Sequence, residues 1–196
     1  RYAFTYLGIA LPFGFLIELL GLKTGWPFGT YEYDPSLGPQ LFDVPLVVPF
    51  AWAMIAHPIL CAARRVAGNW VFLYGGFGLM AYDLFLDPQM VTAGRWTWEV
   101  TGSHVPFTPE VPLSNAFGWL LSGMALIAIL HLALPRDRRK VSASFITIDI
   151  FLIWTWFAGV VSNLFFFDRP GIAFIFGLTF GVVLAPYIFS RWLGRP

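Results

Sequence analysis

Charged residues are scarce in this chain, and their scarcity excludes an ordinary soluble domain. Lys, Arg, Asp and Glu make up 12% of the 196 residues, whereas 58% are hydrophobic. A typical soluble domain carries roughly 25% charged residues. The sequence therefore predicts an integral protein of the cell membrane, whose first partner is the membrane lipid around it.

Other residue types on which common functions depend are also few. Cys61 is the only cysteine, so no disulfide can form within the chain. The net charge is +1 and no basic stripe is present, which excludes nucleic acid as a partner. The three histidines lack the spacing of metal ligands, and no phosphate-binding loop is visible. We therefore expect no metal site and no cofactor.

Six apolar segments are long enough to cross a membrane, which takes roughly 20 residues of helix. They cover residues 2–22, 44–66, 70–91, 112–134, 145–167 and 171–192. The connections after the first and third segments are long and aromatic, and the other three are short. The sequence thus predicts an all-α integral membrane protein. Its single domain, residues 1–196, is a bundle of about six transmembrane helices with two long aromatic outer loops. Because the chain starts without Met, almost directly in an apolar segment, we expect a trimmed N-terminus.

The basic residues predict how the bundle is oriented. Lys23, Arg95 and Arg169 fall on the side of the two long loops. The other nine fall on the side of the termini: Arg1, Arg64, Arg65, Arg136, Arg138, Arg139, Lys140, Arg191 and Arg195. Because basic residues concentrate in the cytoplasm, both termini are predicted to be cytoplasmic. Most of the acidic residues then lie toward the outer leaflet.

Asp83 and Asp87 are the most informative pair in the sequence. At a spacing of four residues, both side chains lie on one face of a helix, close enough to repel if both are ionised. Intramembrane carboxyl groups are costly and usually functional, and an apolar setting disfavours their charged form. A carboxylic acid that keeps its proton near neutral pH is suited to general-acid chemistry. The alternative to a catalytic role is structural: Asp87-Pro88 would merely end the helix, because the residue before a proline is disfavoured in helical geometry.

Further polar side chains are predicted to lie at the depth of these two acids. Glu18 sits about one turn inside the outer end of the first segment, either snorkelling to the interface or acting with Asp83 and Asp87. Asn115 begins the fourth segment, where it either caps the helix or orients an acid or a water molecule. Tyr31 and Tyr33 offer hydroxyl groups from the first loop, which is either an interfacial belt or a lid over a site.

The second long loop, residues 91–102, also carries aromatic residues. Its alternation of residue types around Trp96 is consistent with a short strand at the membrane interface.

Several motifs together resemble a known family. They are Glu18, Thr24-Gly-Trp-Pro-Phe-Gly-Thr-Tyr-Glu-Tyr33, Leu37-Gly-Pro39, Val44-Pro45, Asp83-Leu-Phe-Leu-Asp-Pro88, Trp96-Thr-Trp98 and Asn115-Ala-Phe-Gly-Trp119. This combination resembles the integral-membrane carotenoid biosynthesis proteins. That family includes the carotenoid 1′,2′-hydratases and bisanhydrobacterioruberin hydratase. The resemblance covers residues 18–119.

The resemblance implies a cofactor-independent hydro-lyase whose substrate is an acyclic carotenoid. Protonation of the terminal double bond would give a tertiary carbocation, which water would then capture. Asp83 or Asp87 would be the acid, and Glu18 its partner or the base that orients water. The residues that would orient substrate or water are Asn115, Tyr31, Tyr33, Trp119 and Trp96. Other enzymes of carotenoid biosynthesis are the partners that the resemblance implies.

Three alternatives use the same residues differently. A lycopene-type cyclase or isomerase would begin with the same protonation but exclude water. A membrane prenyltransferase would use Asp83 and Asp87 to hold Mg²⁺ on a diphosphate, although a diphosphate also needs basic partners. A carotenoid-binding or transport protein without catalysis would use the acids as a proton relay.

The predicted orientation can be tested by cysteine labelling. In a Cys61→Ala background, Ser142→Cys is expected to react with a thiol reagent only from the cytoplasmic side. Reactivity from the outside alone would overturn the orientation.

The expected independence from metals and nucleotides can be tested on the purified protein. Carotenoid conversion is expected to proceed at an unchanged rate after treatment with a chelator. Loss of conversion on chelation, with recovery on adding Mg²⁺, would instead favour the prenyltransferase alternative.

Overall fold

The computed structural model describes residues 1–135 and 144–193 of the chain. Six α-helices lie in this part: α1 (Tyr2–Thr24), α2 (Val47–Val66), α3 (Val71–Thr92), α4 (Leu113–Ala133), α5 (Ile146–Phe165) and α6 (Pro170–Ile188). Five of them, all except α3, are long and apolar enough to cross a membrane. The predicted class, an all-α membrane protein with about six helices, is confirmed. The basic residues at 136, 138–140 and 195, on which the predicted orientation partly depends, lie outside the described residues.

Helix α3 lies at the centre of the bundle. It packs most extensively on α4, and also contacts α2 and α6, while α1 packs on α2 and α4. Its contact with α4 is a backbone contact, because Gly76 of α3 meets Gly123 of α4. A Cβ atom at Gly123 would lie 3.1 Å from the Cα atom of Gly76. Small residues of this kind let membrane helices approach closely without a hydrophobic driving force between them.

The proposal that Asp87-Pro88 ends the third helix is wrong, because α3 continues through Pro88 to Thr92. The hydroxyl of Thr92 donates to the carbonyl oxygen of Pro88 at 2.6 Å, within this last turn. Both acids are buried in the bundle. Tertiary packing therefore overrides the local preference of the Asp-Pro pair.

The two long loops meet in an antiparallel ribbon, which we call the aromatic ribbon. It pairs strand β1 (Tyr31–Tyr33) with strand β4 (Trp96–Trp98). The end residues of both strands are half-buried and aromatic, whereas the central Glu32 and Thr97 are exposed. Because successive side chains of a strand point to opposite faces, all four aromatic side chains lie on one face of the ribbon. The predicted short strand in the second loop is thus confirmed.

Two smaller hairpins complete the loops on this side of the bundle. They pair β2 (Gln40–Leu41) with β3 (Val44–Pro45), and β5 (His104–Val105) with β6 (Thr108–Pro112). The predicted second segment, residues 44–66, therefore begins as a strand, and its helix starts only at Val47.

Among the described residues, one buried acid lies at the opposite end of the bundle, Asp149 of α5. Its carboxylate accepts a hydrogen bond from the Tyr187 hydroxyl at 2.6 Å and pairs with Arg191 at 3.2 Å. Asp149 thus has its own cationic partner, at the other end of the bundle from Asp83 and Asp87.

The glycine contact between α3 and α4 predicts a large effect of substitution. A Cβ atom at Gly76 would lie 2.7 Å from the backbone nitrogen of Met124 and 2.8 Å from the carbonyl oxygen of Leu120. Gly76→Ala is therefore expected to reduce the free energy of unfolding by about 1–3 kcal/mol, the usual cost of overpacking. Thermal unfolding in detergent measures it. Gly8→Ala is the matched control, because nothing lies within 4 Å of a Cβ atom there. Equal stability of the two variants would contradict the prediction.

Candidate functional site

The bundle contains a cavity of about 340 Å³ beneath the aromatic ribbon. Helices α1, α2, α3 and α4 form its walls, and aromatic side chains of the ribbon cover it. All eight site residues predicted from the sequence line this cavity: Glu18, Tyr31, Tyr33, Asp83, Asp87, Trp96, Asn115 and Trp119. The structure therefore brings together residues from three helices and two loops that are far apart in the sequence.

Glu18 is held by three donors from two different elements. Its Oε2 atom accepts hydrogen bonds from the hydroxyl groups of Tyr31, at 2.6 Å, and Tyr33, at 2.8 Å. Its Oε1 atom accepts from the indole Nε1–H of Trp52 at 2.8 Å. With only 4% of its surface exposed, Glu18 does not snorkel to the interface. Its carboxyl group is thus fixed in position inside the cavity.

The hydroxyl groups of the two ribbon tyrosines are uncharged near neutral pH. Burial raises the pKa of both the Tyr31 and the Tyr33 hydroxyl well above the usual value, and the charge of Glu18 raises it further. Both hydroxyls therefore stay protonated. Each presents its proton to Glu18.

Asp83 and Asp87 form a second group with Asn115. The Nδ2 atom of Asn115 donates to Oδ2 of Asp83 at 2.9 Å and also to Oδ2 of Asp87. A side-chain amide carries two N–H bonds, so one nitrogen can serve both acids. The alternative that Asn115 caps helix α4 is wrong, since the N-cap is Pro112 and no side-chain cap bond is present.

The aromatic ribbon also contacts this second group. The indole Nε1–H of Trp96 donates to Oδ1 of Asp87 at 3.3 Å. Asp83 and Asp87 are 1% and 3% exposed. The ribbon therefore supplies hydrogen bonds to both acidic groups, through its tyrosines to Glu18 and through Trp96 to Asp87.

No basic side chain of the described residues lines the cavity. The three basic residues at this end of the bundle bind elsewhere. Lys23 pairs with Asp43 at 2.7 Å, Arg95 donates to the Ser36 hydroxyl, and Arg169 pairs with Glu110 at 2.9 Å. Burying an ionised carboxylate costs several kcal/mol unless it is well paired. Three ionised acids in this cavity would therefore be costly, which favours a proton shared within the site.

The remaining cavity wall is aromatic. Trp52 and Trp119 stack face to face, with ring centroids 4.0 Å apart and planes 5° apart. Phe28 contacts Trp119 at 6.3 Å between centroids. Aromatic faces attract a nearby cation through their quadrupole. The cavity thus combines acidic groups with surfaces that can stabilise a positive charge.

Sequence reasoning missed Trp52, although it binds Glu18 and stacks on Trp119. Tryptophan in a membrane helix is ordinarily read as packing, so its residue type gives no signal. The depth of Trp52 in the membrane is the signal that could have identified it. Trp52 lies five residues inside the start of α2, on the same side of the membrane as the predicted acids. Trp98 was also missed as a site residue. It lines the cavity with a buried Nε1–H that has no hydrogen-bond partner among the described residues.

Comparison with known proteins identifies relatives of the chain. The family described as carotenoid biosynthesis protein matches residues 1–184. A curated relative, bisanhydrobacterioruberin hydratase of Haloarcula japonica, is 33% identical over 160 residues, which cover 76% of this chain and 52% of the relative. The chain thus spans about half the length of that relative. No solved structure matches the chain.

The resemblance that the motifs carry is thereby confirmed, and it extends beyond residues 18–119. Because the match runs through nearly all of the 196 residues, including every residue named above as lining the cavity, the chain belongs to the carotenoid biosynthesis protein family.

Proposed function

We propose that this protein is a carotenoid 1′,2′-hydratase, a hydro-lyase that needs no cofactor. It adds water to the terminal double bond of an acyclic carotenoid. The observation that carries the proposal is the division of the buried acids into two groups. Asp83 and Asp87 share the donor Asn115, whereas Glu18 accepts three hydrogen bonds of its own. Kinship with a protein named as a hydratase supports the same reaction class.

Asp83 and Asp87 together supply the proton. Two carboxyl groups that share one donor, with no basic side chain of the described residues lining their cavity, hold one proton between them because like charges disfavour double ionisation. The π electrons of the terminal double bond take that proton, and a C–H bond forms at the less substituted carbon. The more substituted carbon becomes a tertiary cation. The pair is left one proton short.

Aromatic side chains stabilise the cation while it lasts. The stacked rings of Trp52 and Trp119 line the cavity together with Trp96. A cation over the face of such a ring gains about 0.5–2 kcal/mol, with the larger value when it is desolvated. The ribbon covers the cavity and limits the access of bulk water. Side reactions of the cation with bulk water are thereby reduced.

Glu18 acts as the base toward the attacking water. Hydrogen bonds from Tyr31, Tyr33 and Trp52 hold its two carboxyl oxygens in a fixed position in the cavity. The water oxygen bonds to the tertiary carbon and gives a proton to Glu18, which leaves a tertiary alcohol. Return of that proton to the aspartate pair completes the cycle, so water is the only co-reactant.

The site is proposed to face the outer leaflet, with both termini in the cytoplasm. The support is the distribution of charge, since Lys23, Arg95 and Arg169 are the only Lys and Arg residues of the described part of the chain at the end that holds the cavity. Substrate carotenoid would enter from the membrane, and water from the outer surface.

Removing the proton donor is expected to abolish most of the activity. Asp83→Asn and Asp87→Asn keep the shape of the side chain but lose the acid. Each is expected to lower kcat by about 10²–10⁴-fold, the contribution of general-acid catalysis. Expression in a lycopene-accumulating host, with the pigments resolved by mass, measures the gain of one water per hydrated end.

Asp149→Asn is the matched control, because Asp149 is a buried acid at the other end of the bundle. It is expected to affect stability more than turnover. Near-normal hydration by both Asp83→Asn and Asp87→Asn would contradict the assignment of these acids. A product of unchanged mass with a new ring would instead identify a cyclase.

A further inference from the structure

The cavity that holds the acids is too small for a whole carotenoid. Pockets for drug-sized ligands measure roughly 300–1,000 Å³, and the cavity of about 340 Å³ is at the lower limit of that range. An acyclic carotenoid is a stiff conjugated chain about as long as the hydrocarbon core of a membrane is thick, ~30 Å. Only the reacting end of such a molecule fits beneath the ribbon, so the rest must lie elsewhere.

The cavity opens on the flank of the bundle between α2 and α3. Val47 and Met54 of α2 line the cavity and are nevertheless 51% and 55% exposed. Across from them, Tyr82 and Leu86 of α3 line the same cavity. An extended molecule with its end at the acids therefore leaves the cavity past these side chains.

A second cavity, of about 320 Å³, lies directly beyond them between α3 and α5. It shares Tyr82 and Leu86 with the first cavity, so these two side chains lie at the boundary between the two spaces. They are four residues apart and thus lie one above the other on α3. The Tyr82 ring is also parallel to that of Phe151 on α5, with planes 10° apart and centroids 6.1 Å apart.

Aromatic, small and polar side chains line the second cavity, which we call the slot. Its α5 side includes the small residues Ala158 and Gly159, and aromatic rings of Phe85, Trp154 and Phe167 border it. The Phe85 ring lies so close to Gly159 that a Cβ atom there would be 2.8 Å from it. Trp154 is 64% exposed, so the slot opens to the surroundings of the bundle. The Phe85 ring thus covers Gly159, and the aromatic rings that border the slot beside Ala158 suit a flat conjugated chain.

We propose that the slot between α3 and α5 binds the polyene chain of the carotenoid, and that Tyr82 and Leu86 form the passage from it to the acids. This inference rests on the proposed function. If the slot binds the polyene, it sets the preference of the enzyme for long substrates. A long polyene gains binding energy in the slot, whereas a short terpene with the same terminal group uses only the first cavity.

Protection of an introduced cysteine tests this without any turnover. In a Cys61→Ala background, Ala158→Cys places a thiol in the slot, and Ile150→Cys places one on the exposed side of α5 as the control. Lycopene at about ten times its Kd is expected to slow the reaction of Ala158→Cys with N-ethylmaleimide roughly tenfold. The short terpene myrcene is not expected to slow it, and neither compound should affect Ile150→Cys. Equal labelling of Ala158→Cys with and without lycopene would show that the chain lies in lipid, which overturns the proposal.

Filling the slot provides a kinetic test. In Ala158→Trp, the ratio of kcat/KM for lycopene to that for myrcene is expected to fall at least about tenfold. Ser162→Trp, which fills the slot one turn away, takes its place if the first variant does not fold. Ile150→Trp is the control with an unchanged ratio. An equal loss with both substrates would indicate another use of the slot, such as water entry, and would overturn the proposal.

The two proposals can fail separately. Lycopene that protects Ala158→Cys in a protein that never adds water would contradict the hydratase assignment and leave the slot intact as a polyene site. Hydration of lycopene without protection or a change in the ratio would contradict the slot alone.

Discussion

The arrangement of the first four helices and the aromatic ribbon depends on the need to satisfy three buried carboxyl groups, whose cavity no basic side chain of the described residues lines. In a membrane protein, polar groups that find no partner within the protein are costly. Glu18 finds its donors on α2 and the ribbon, whereas Asp83 and Asp87 find theirs on α4 and the ribbon. These bonds therefore connect helices and loops that would otherwise meet only through apolar contacts. The close packing of α3 on α4 through Gly76 and Gly123 brings the two helices near enough for Asn115 to reach both acids.

The same need divides the site into two parts with different chemistry. Proton binding differs between the two parts. Glu18 has three donors of its own, whereas Asp83 and Asp87 share one donor and bind protons as a coupled pair. This difference requires no metal or bound group, because it follows from which neighbours each acid has. In the proposed reaction, the aspartate pair would supply a proton and Glu18 would accept one from water, so that one functional group would serve as both acid and base.

Much of this architecture can be predicted from local patterns in the sequence. Apolar segments give the helices, and the spacing of Asp83 and Asp87 places them on one face. A common depth in the membrane points to Glu18 and Asn115. The pairing of Tyr31 with Trp98 cannot be predicted in this way, because it joins two loops whose register depends on contacts between distant parts of the chain. Nor can Trp52 be told from a packing tryptophan until Glu18 is seen beside it. Local patterns likewise left the role of Asn115 open, and only the position of α3 decides it.

The aromatic ribbon touches both acidic groups, and this has a thermodynamic consequence. Tyr31 and Tyr33 reach Glu18 from one strand, and Trp96 reaches Asp87 from the other. Displacing the ribbon to admit solvent would remove donors from both groups in a single step. Entry of bulk solvent by this route is thus thermodynamically coupled to the loss of hydrogen bonds to both acidic groups, because one ribbon supplies both sets of donors.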